Sequence, residues 1–277
     1  MSSFPTEPLE DIEISLLLEG VYRHSGHDFR GYAPATVKRR VLHCMAQEGL
    51  ATVSALQDRV LHDPMALVRL RDTLSINVTE MFRDPPFYRA LREQVLPVLR
   101  THPFLRVWHA GCSTGEEVYS VAILLHEAGL LERSRLYATD ISAPALAVAR
   151  RGIYTQEKLE EYARNYQLAG GIRAFSSYFT AQYDHGLVRA DLRRNIIWGQ
   201  HNLVTDGSFN EFHLILCRNV LIYFTQKLQE QVQALLLGSL VPFGVLGLGR
   251  HETLDFSAHQ RRFETINLSE KLYRRIA

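Results

Sequence analysis

The chain has 277 residues, enough to bury one large core and a smaller one. Its 31 basic and 30 acidic side chains nearly cancel, and the net charge of +1 leaves no global field to draw nucleic acid or an anionic membrane. Three scattered cysteines, Cys44, Cys112 and Cys217, form no C-x-x-C and have no histidine at ligand spacing; no metal site or disulfide framework is expected, and a reducing cytoplasm is the simplest home.

The start, MSSFPTEPLEDIEIS, is acidic and lacks the basic n-region of a signal peptide, and no apolar run approaches the ~20 residues of a membrane span. Residues 9–74 predict a small all-helical domain. Ile14, Leu17, Leu18 and Val21 make one apolar stripe, Val37, Val41, Cys44 and Met45 a second, and Val53, Leu56 and Val60 a third. Asp63-Pro64 is a cap followed by proline at a first helical position, opening a fourth helix through Leu67, Leu70 and Leu74. On the second helix Lys38, Arg39, Arg40 and His43 crowd the sides away from the apolar stripe. They read either as a solvated face or as a docking surface for an acidic partner helix.

Ser75 to Arg83 then joins this domain to a larger one spanning 75–277. Asn77 and Thr79, two apart in an apolar linker, either turn the same way toward a ligand or serve a turn. Asp84-Pro85-Pro86 is expected to cap a helix carrying Phe87, Leu91, Val95 and Val98. FLRVWHAGCSTGEEVYS (104–120) follows as a strand, a small-residue loop and a helix with Val118, Val121, Ala122 and Leu125 on one face. RLYATDIS (135–142) reads as a second strand ending in Asp140, where an acidic side chain can bind both hydroxyls of a ribose. The loop is not G-x-G-x-x-G, and Glu116 and Glu117 would repel a pyrophosphate. A positively charged adenosyl ligand without phosphates fits better, and S-adenosylmethionine is one.

A polar helical stretch runs through GIYTQEKLEEYARNY. Three short strands are expected next, at 178–181, 187–190 and 195–201, with a hairpin turn at Asp184-His185-Gly186 and the last strand returning to the main sheet. The result is a small antiparallel β insert over about 177–200, whose open edge is either a structural flap or a place for strand addition. FHLILCR (212–218) is apolar enough for a central parallel strand. GVLGLGR (244–250) is the next strand, and RRFETIN and KLYRRIA close the sheet as a reversed pair.

AGCSTGEEVYS, with SINVTEMFRDP upstream and LCRNVLIYF downstream, resembles the chemotaxis receptor methyltransferase (CheR) family of protein-glutamate O-methyltransferases over roughly residues 15 to 277. Val118 departs from a common proline, and Gly249-Arg250-His251-Glu252 from a pattern nearer Gly-His-Ser-Glu. The resemblance implies an α/β fold with the mostly parallel class I S-adenosylmethionine-dependent methyltransferase sheet and its reversed C-terminal hairpin. It implies methyl transfer to glutamate carboxylates of a chemoreceptor-like helical bundle, with S-adenosylhomocysteine as product, by a cytoplasmic monomer recruited to membrane receptors without inserting. Carried over, Asn77, Thr79, Arg83, Ala110, Glu117, Asp140, Asn202, Leu203, Arg218 and Asn219 line the cofactor, and Lys38, Arg39, Arg40 and His43 meet the partner. Arg83, Arg218 and Tyr223 are the catalytic candidates. Tyr223 would aim the acceptor carboxylate or, alternatively, is a core aromatic beside Phe224. A cofactor-binding signalling module without turnover, and a methyltransferase for some other protein, are the competing readings. Nucleic-acid methylation is disfavoured, because CRNVLIYF is not the Asn-Pro-Pro-Tyr type that serves amino nucleophiles.

Overall fold

The computed structural model describes residues 7–74, 79–255 and 257–276. They divide into two compact units. One holds the described residues up to 74 together with Tyr223–Gln229; the other holds those from 79 to 222 and from 230 onward.

The first unit is helical: α1 (Leu9–Ser25), α2 (Pro34–Gln47), α3 (Val53–His62) and α4 (Pro64–Leu74). Its core is the expected set of stripes, with Leu17, Val21, Val41, Leu56 and Leu70 all fully or almost fully buried. Thr52 caps α3 by accepting from the Ala55 amide, and the Asp63 carboxylate accepts from the Met65 amide at the start of α4. The loop before α2 folds against Tyr223–Gln229. The Ala33 amide donates to the Tyr223 carbonyl at 2.8 Å, and Tyr32 meets Phe224 edge-on at 4.9 Å.

The second unit opens with α5 (Pro85–Ala90), a π turn (Leu91–Val95) and α6 (Leu96–Leu99). One uninterrupted helix was expected here. Pro97 has no N–H for the carbonyl four residues back, and its ring crowds that carbonyl, so the wider turn takes up the mismatch. The chain continues as β1 (Leu105–Ala110), α7 (Glu116–Glu127), β2 (Ser134–Asp140), α8 (Ala143–Arg151), β3 (Ile153–Thr155), α9 (Gln156–Leu168), β4 (Phe179–Gln182), β5 (His185–Val188) and α10 (Ala190–Arg193). It ends with β6 (Ile196–Gln200), β7 (Phe212–Cys217), α11 (Gln226–Gly238), β8 (Leu240–Leu248), β9 (Phe263–Asn267) and β10 (Leu272–Arg275).

The main sheet has the order β6-β2-β1-β7-β8-β10-β9. Five strands are mutually parallel, and the sheet closes with the expected antiparallel pair: β10 alone runs reversed, antiparallel to both β8 and β9. β1 and β7 lie side by side at its middle, paired through Val107–Leu214, Trp108–Ile215 and His109–Leu216. A parallel sheet must be covered on both faces, which is why these strands do not alternate polar and apolar. Helix α7 follows β1 directly and is buried along nearly all its length.

The small sheet is antiparallel, in the order β3-β5-β4. Its third strand comes from the segment read as helical: Ile153–Thr155 pairs with β5 before α9 begins. The β4–β5 turn is Tyr183-Asp184, one residue earlier than expected, with Gln182 opposite His185. Gly186 lies inside β5 because Leu159 of α9 packs onto it; a Cβ there would come within 2.5 Å of Leu159 Cδ1.

Candidate active site

The carboxyl ends of β2, β1, β7 and β8 lie next to one another, and the open end of a parallel sheet at such a place is where α/β proteins take ligands. The loop after β1 is drawn against the tip of β2: the amides of Gly111 and Cys112 both donate to the Thr139 carbonyl at 2.9 Å. Gly111 has φ +81°, and a Cβ there would lie 2.5 Å from Val220 Cγ2; Gly115 has φ +92°, and a Cβ there would lie 2.9 Å from Ala149 Cβ. Only glycine keeps this loop both left-handed and closely packed.

Asp140 is buried at the end of β2. Its Oδ2 accepts from the Ser113 amide at 2.8 Å and its Oδ1 from the Ser142 amide at 2.9 Å. Burial pushes its carboxyl up against the pull of the Ser142, Ser113 and Ile141 amides. The Asp140 carbonyl accepts from the His201 amide at 3.1 Å, which brings the loop carrying Asn202 and Leu203 alongside. The Asn202 side-chain carbonyl is itself engaged, accepting from the Val204 amide at 3.0 Å.

A charged cluster fills the other side of β1. The Arg218 side chain, 2% exposed, donates from Nη2 to Asp84 Oδ2 at 2.8 Å and to the Arg83 carbonyl at 3.3 Å. Its Nη1 lies 3.6 Å from Glu117 Oε2, and its guanidinium stacks 3.9 Å from the Phe87 ring centre. Its Nε is buried and has no hydrogen-bond partner among the described residues. Glu117 in turn meets His109 Nδ1 at 2.9 Å. Burial raises the Glu117 carboxyl, but the His109 hydrogen bond and the Arg218 charge outweigh it and hold the group below its ordinary range. One residue earlier, Glu116 points under the loop to the Thr114 hydroxyl at 2.7 Å, and there burial dominates and raises the carboxyl.

These features fit an adenosyl sulfonium ligand. The buried acid at the β2 tip suits a ribose, the acidic start of α7 disfavours phosphate, and the orphaned Arg218 Nε is a donor awaiting an acceptor. A "CheR methyltransferase, SAM binding domain" profile matches residues 77–272, and a "CheR methyltransferase, all-alpha domain" profile matches residues 12–75. The chain belongs to the CheR methyltransferase family. A Pseudomonas putida protein named Cher3 is 50% identical over 96% of this chain and 97% of its own length. The chemotaxis protein methyltransferase of Listeria monocytogenes is 31% identical over 84% of this chain and 87% of its own. Among solved structures, the N-methyltransferase NodS of Bradyrhizobium japonicum WM9 covers 70% of each chain at 15% identity and a TM-score of 0.35, too distant to inform the site. This CheR-family chain is thus an S-adenosylmethionine-dependent methyltransferase.

The expected cofactor residues are only partly gathered. Arg218 and Glu117 meet directly, Arg83 joins them through its carbonyl, and Ala110 ends β1 beside Thr139. Asn219 follows Arg218 with a left-handed φ of 60°. Thr79 is half-buried, and Asn77 lies outside the described residues. Tyr223 groups with the helical unit. Of the basic residues on α2, Arg39 and His43 are exposed and Arg40 is half-buried, whereas Lys38 is held by Glu10 at 2.6 Å and Asp11 at 2.8 Å. Asp84 corrects the sequence reading: it stands where a cap would, but its side chain makes no cap bond. Its φ of 58° turns the carboxylate away from the helix and toward the buried cation. His109 was not singled out in the sequence, and Glu252 entered only within the motif that departs from the family pattern, with no role assigned.

Proposed function

We propose that the chain transfers the methyl group of S-adenosylmethionine to glutamate side chains of a partner protein, a chemoreceptor-like helical bundle, giving a glutamate methyl ester. The observation that carries this reading is the balanced state of Arg218, already committed to Asp84 and Glu117. Bound at the strand tips, S-adenosylmethionine supplies an electrophilic methyl on a sulfonium. A glutamate acceptor is ionised near neutral pH and needs no general base. It loses its charge during transfer, so a free cation clamping it would favour the ground state over the transition state. A crevice whose central cation is neutralised in advance avoids that penalty.

In this reading Asp140 binds the ribose hydroxyls, and Asn202 and Leu203 border the adenine. Thr79, Ala110, Glu117 and Asn219 complete the lining. Arg83 and the Arg218 Nε face the carboxylate tail, and the Tyr223 hydroxyl aims the acceptor oxygen. Arg39 and His43, rather than Lys38, are the foremost candidates on α2 for meeting an acidic partner helix. The test is incubation with radiolabelled cofactor and receptor cytoplasmic domains. Base-labile release of methanol supports the reading, base-stable label marks transfer to nitrogen, and binding without transfer marks a sensor; either of the last two overturns it.

A further inference from the structure

One buried carboxylate beside the cofactor crevice has no part in the reading above. Glu252, 4% exposed, lies in the loop after β8 and reaches across to the tip of β7. Its Oε1 accepts from the amides of Val220 and Leu221, both at 2.7 Å. Its Oε2 accepts from the Asn219 amide at 2.9 Å and the Gly249 amide at 2.5 Å. Three consecutive backbone N–H groups thus converge on one anion, the concave arrangement in which a backbone ordinarily holds a free anion. Here the chain supplies the anion itself.

The approach is tight enough to dictate its neighbours. A Cβ on Gly249 would lie 2.7 Å from Glu252 Oε2 and 2.8 Å from the Asn219 nitrogen. Asn219 holds a left-handed φ of 60°, which asparagine tolerates better than most L-residues, and the Glu252 bond to its amide fixes that choice. Burial raises the Glu252 carboxyl while the four amides pull it back. Val220, the next residue, packs against the β1 loop at Gly111. The carboxylate therefore braces a loop touching the glycine turn on one side and carrying Arg218 and Asn219 on the other.

We propose that Glu252 is a positioning residue for the methyl-transfer site: its carboxylate fixes the Asn219-Val220-Leu221 backbone, and so the Asn219 side chain, in the cofactor-ready conformation before the cofactor arrives. This rests on the assignment of Asn219 to the cofactor. A glutamine at 252 offers one carbonyl oxygen for two of the four amides and sets its own N–H groups against the others.

The test is a double-mutant cycle read as S-adenosylhomocysteine affinity by calorimetry, on full-length variants shown to be folded by circular dichroism. Glu252→Gln is expected to weaken binding about tenfold, Asn219→Ala to do likewise, and the double variant to be little worse than either single one. A purely structural role would instead lower the melting temperature and leave affinity per folded molecule unchanged. Unchanged affinity in folded Glu252→Gln, or effects that multiply, overturns the inference. An Asn219→Ala variant with full affinity overturns the cofactor assignment, and the inference that rests on it. Should Glu252→Gln not fold, amide hydrogen exchange on the unmodified protein without cofactor decides. Protection of about 100-fold or more at 219–221 supports a preset loop, and unprotected exchange there refutes it.

Discussion

The Asp84–Arg218 pair allows a prediction in which the direction of mutation matters more than the count of bonds lost. The guanidinium is 2% exposed, whereas the Asp84 side chain is 22% exposed. Asp84→Asn keeps the size and tolerates the left-handed backbone, but strands a buried cation whose remaining carboxylate is 3.6 Å away. Removing one partner of a buried pair costs about 3–5 kcal/mol; the amide oxygen can still accept from Nη2, which brings the expectation to about 3 kcal/mol. Arg218→Met fills the space over Phe87 and leaves Asp84 free to hydrate and Glu117 held by His109. Its cost is the lost stacking and a partly exposed pair, about 2 kcal/mol. The double variant should cost no more than Arg218→Met alone, because the stranded charge is then gone. Urea unfolding followed by tryptophan fluorescence measures this directly, since both tryptophans, Trp108 and Trp198, lie in the sheet unit. Additive costs, or an Asp84→Asn penalty below about 1 kcal/mol, would refute the picture of Arg218 as a buried charge dependent on Asp84.

Asp140→Ala removes the acceptor assigned to both ribose hydroxyls. Two hydrogen bonds to a charged group correspond to a loss of at least ~100-fold in S-adenosylhomocysteine affinity, and unchanged affinity by calorimetry would falsify the assignment. Tyr223→Phe is expected to slow turnover while leaving cofactor affinity nearly intact; equal initial rates of methyl transfer would take the hydroxyl out of the mechanism. His213, beside His102 and accepting from the Arg106 amide, is lowered to about 4 from 6.5 by burial and then by the charges of His102 and Arg106. A folded value below the unfolded one means protons are taken up on unfolding, so its stabilising contribution is present above pH 6.5 and lost as the pH falls toward 4. The stability advantage of the natural protein over His213→Gln should shrink between pH 7 and pH 5, and parallel urea midpoints at the two values count against it.

Elements whose signal is local were legible in the sequence. The run from β1 through the glycine loop into α7 is contiguous, and Asp140 ends a strand one crossover later, so periodicity sufficed. The four helices of the first unit were legible for the same reason. The polar cluster was not. Asp84 and Arg218 are 134 positions apart, and an aspartate before two prolines looks like a cap until a buried cation competes for it. Glu252 lies 31 to 33 residues beyond the three β7-tip amides it holds, and one glutamate after a glycine-rich strand carries no periodic signal. β3 was missed because three residues before a strong helix are too few to show alternation, and it exists only through pairing with β5.

The strand order has a consequence for biosynthesis. β10, made after every other strand of the sheet, is seated between β8 and β9 rather than at a margin. While the chain is being extended, β8 presents an unpaired ladder of backbone groups, and β9 has nowhere to dock until residues 272–275 have left the ribosome. A premature stop shortly before Leu272 would therefore do more than trim a tail: it would release a polypeptide with a sticky margin beside its catalytic strands, a natural target for chaperones and proteases.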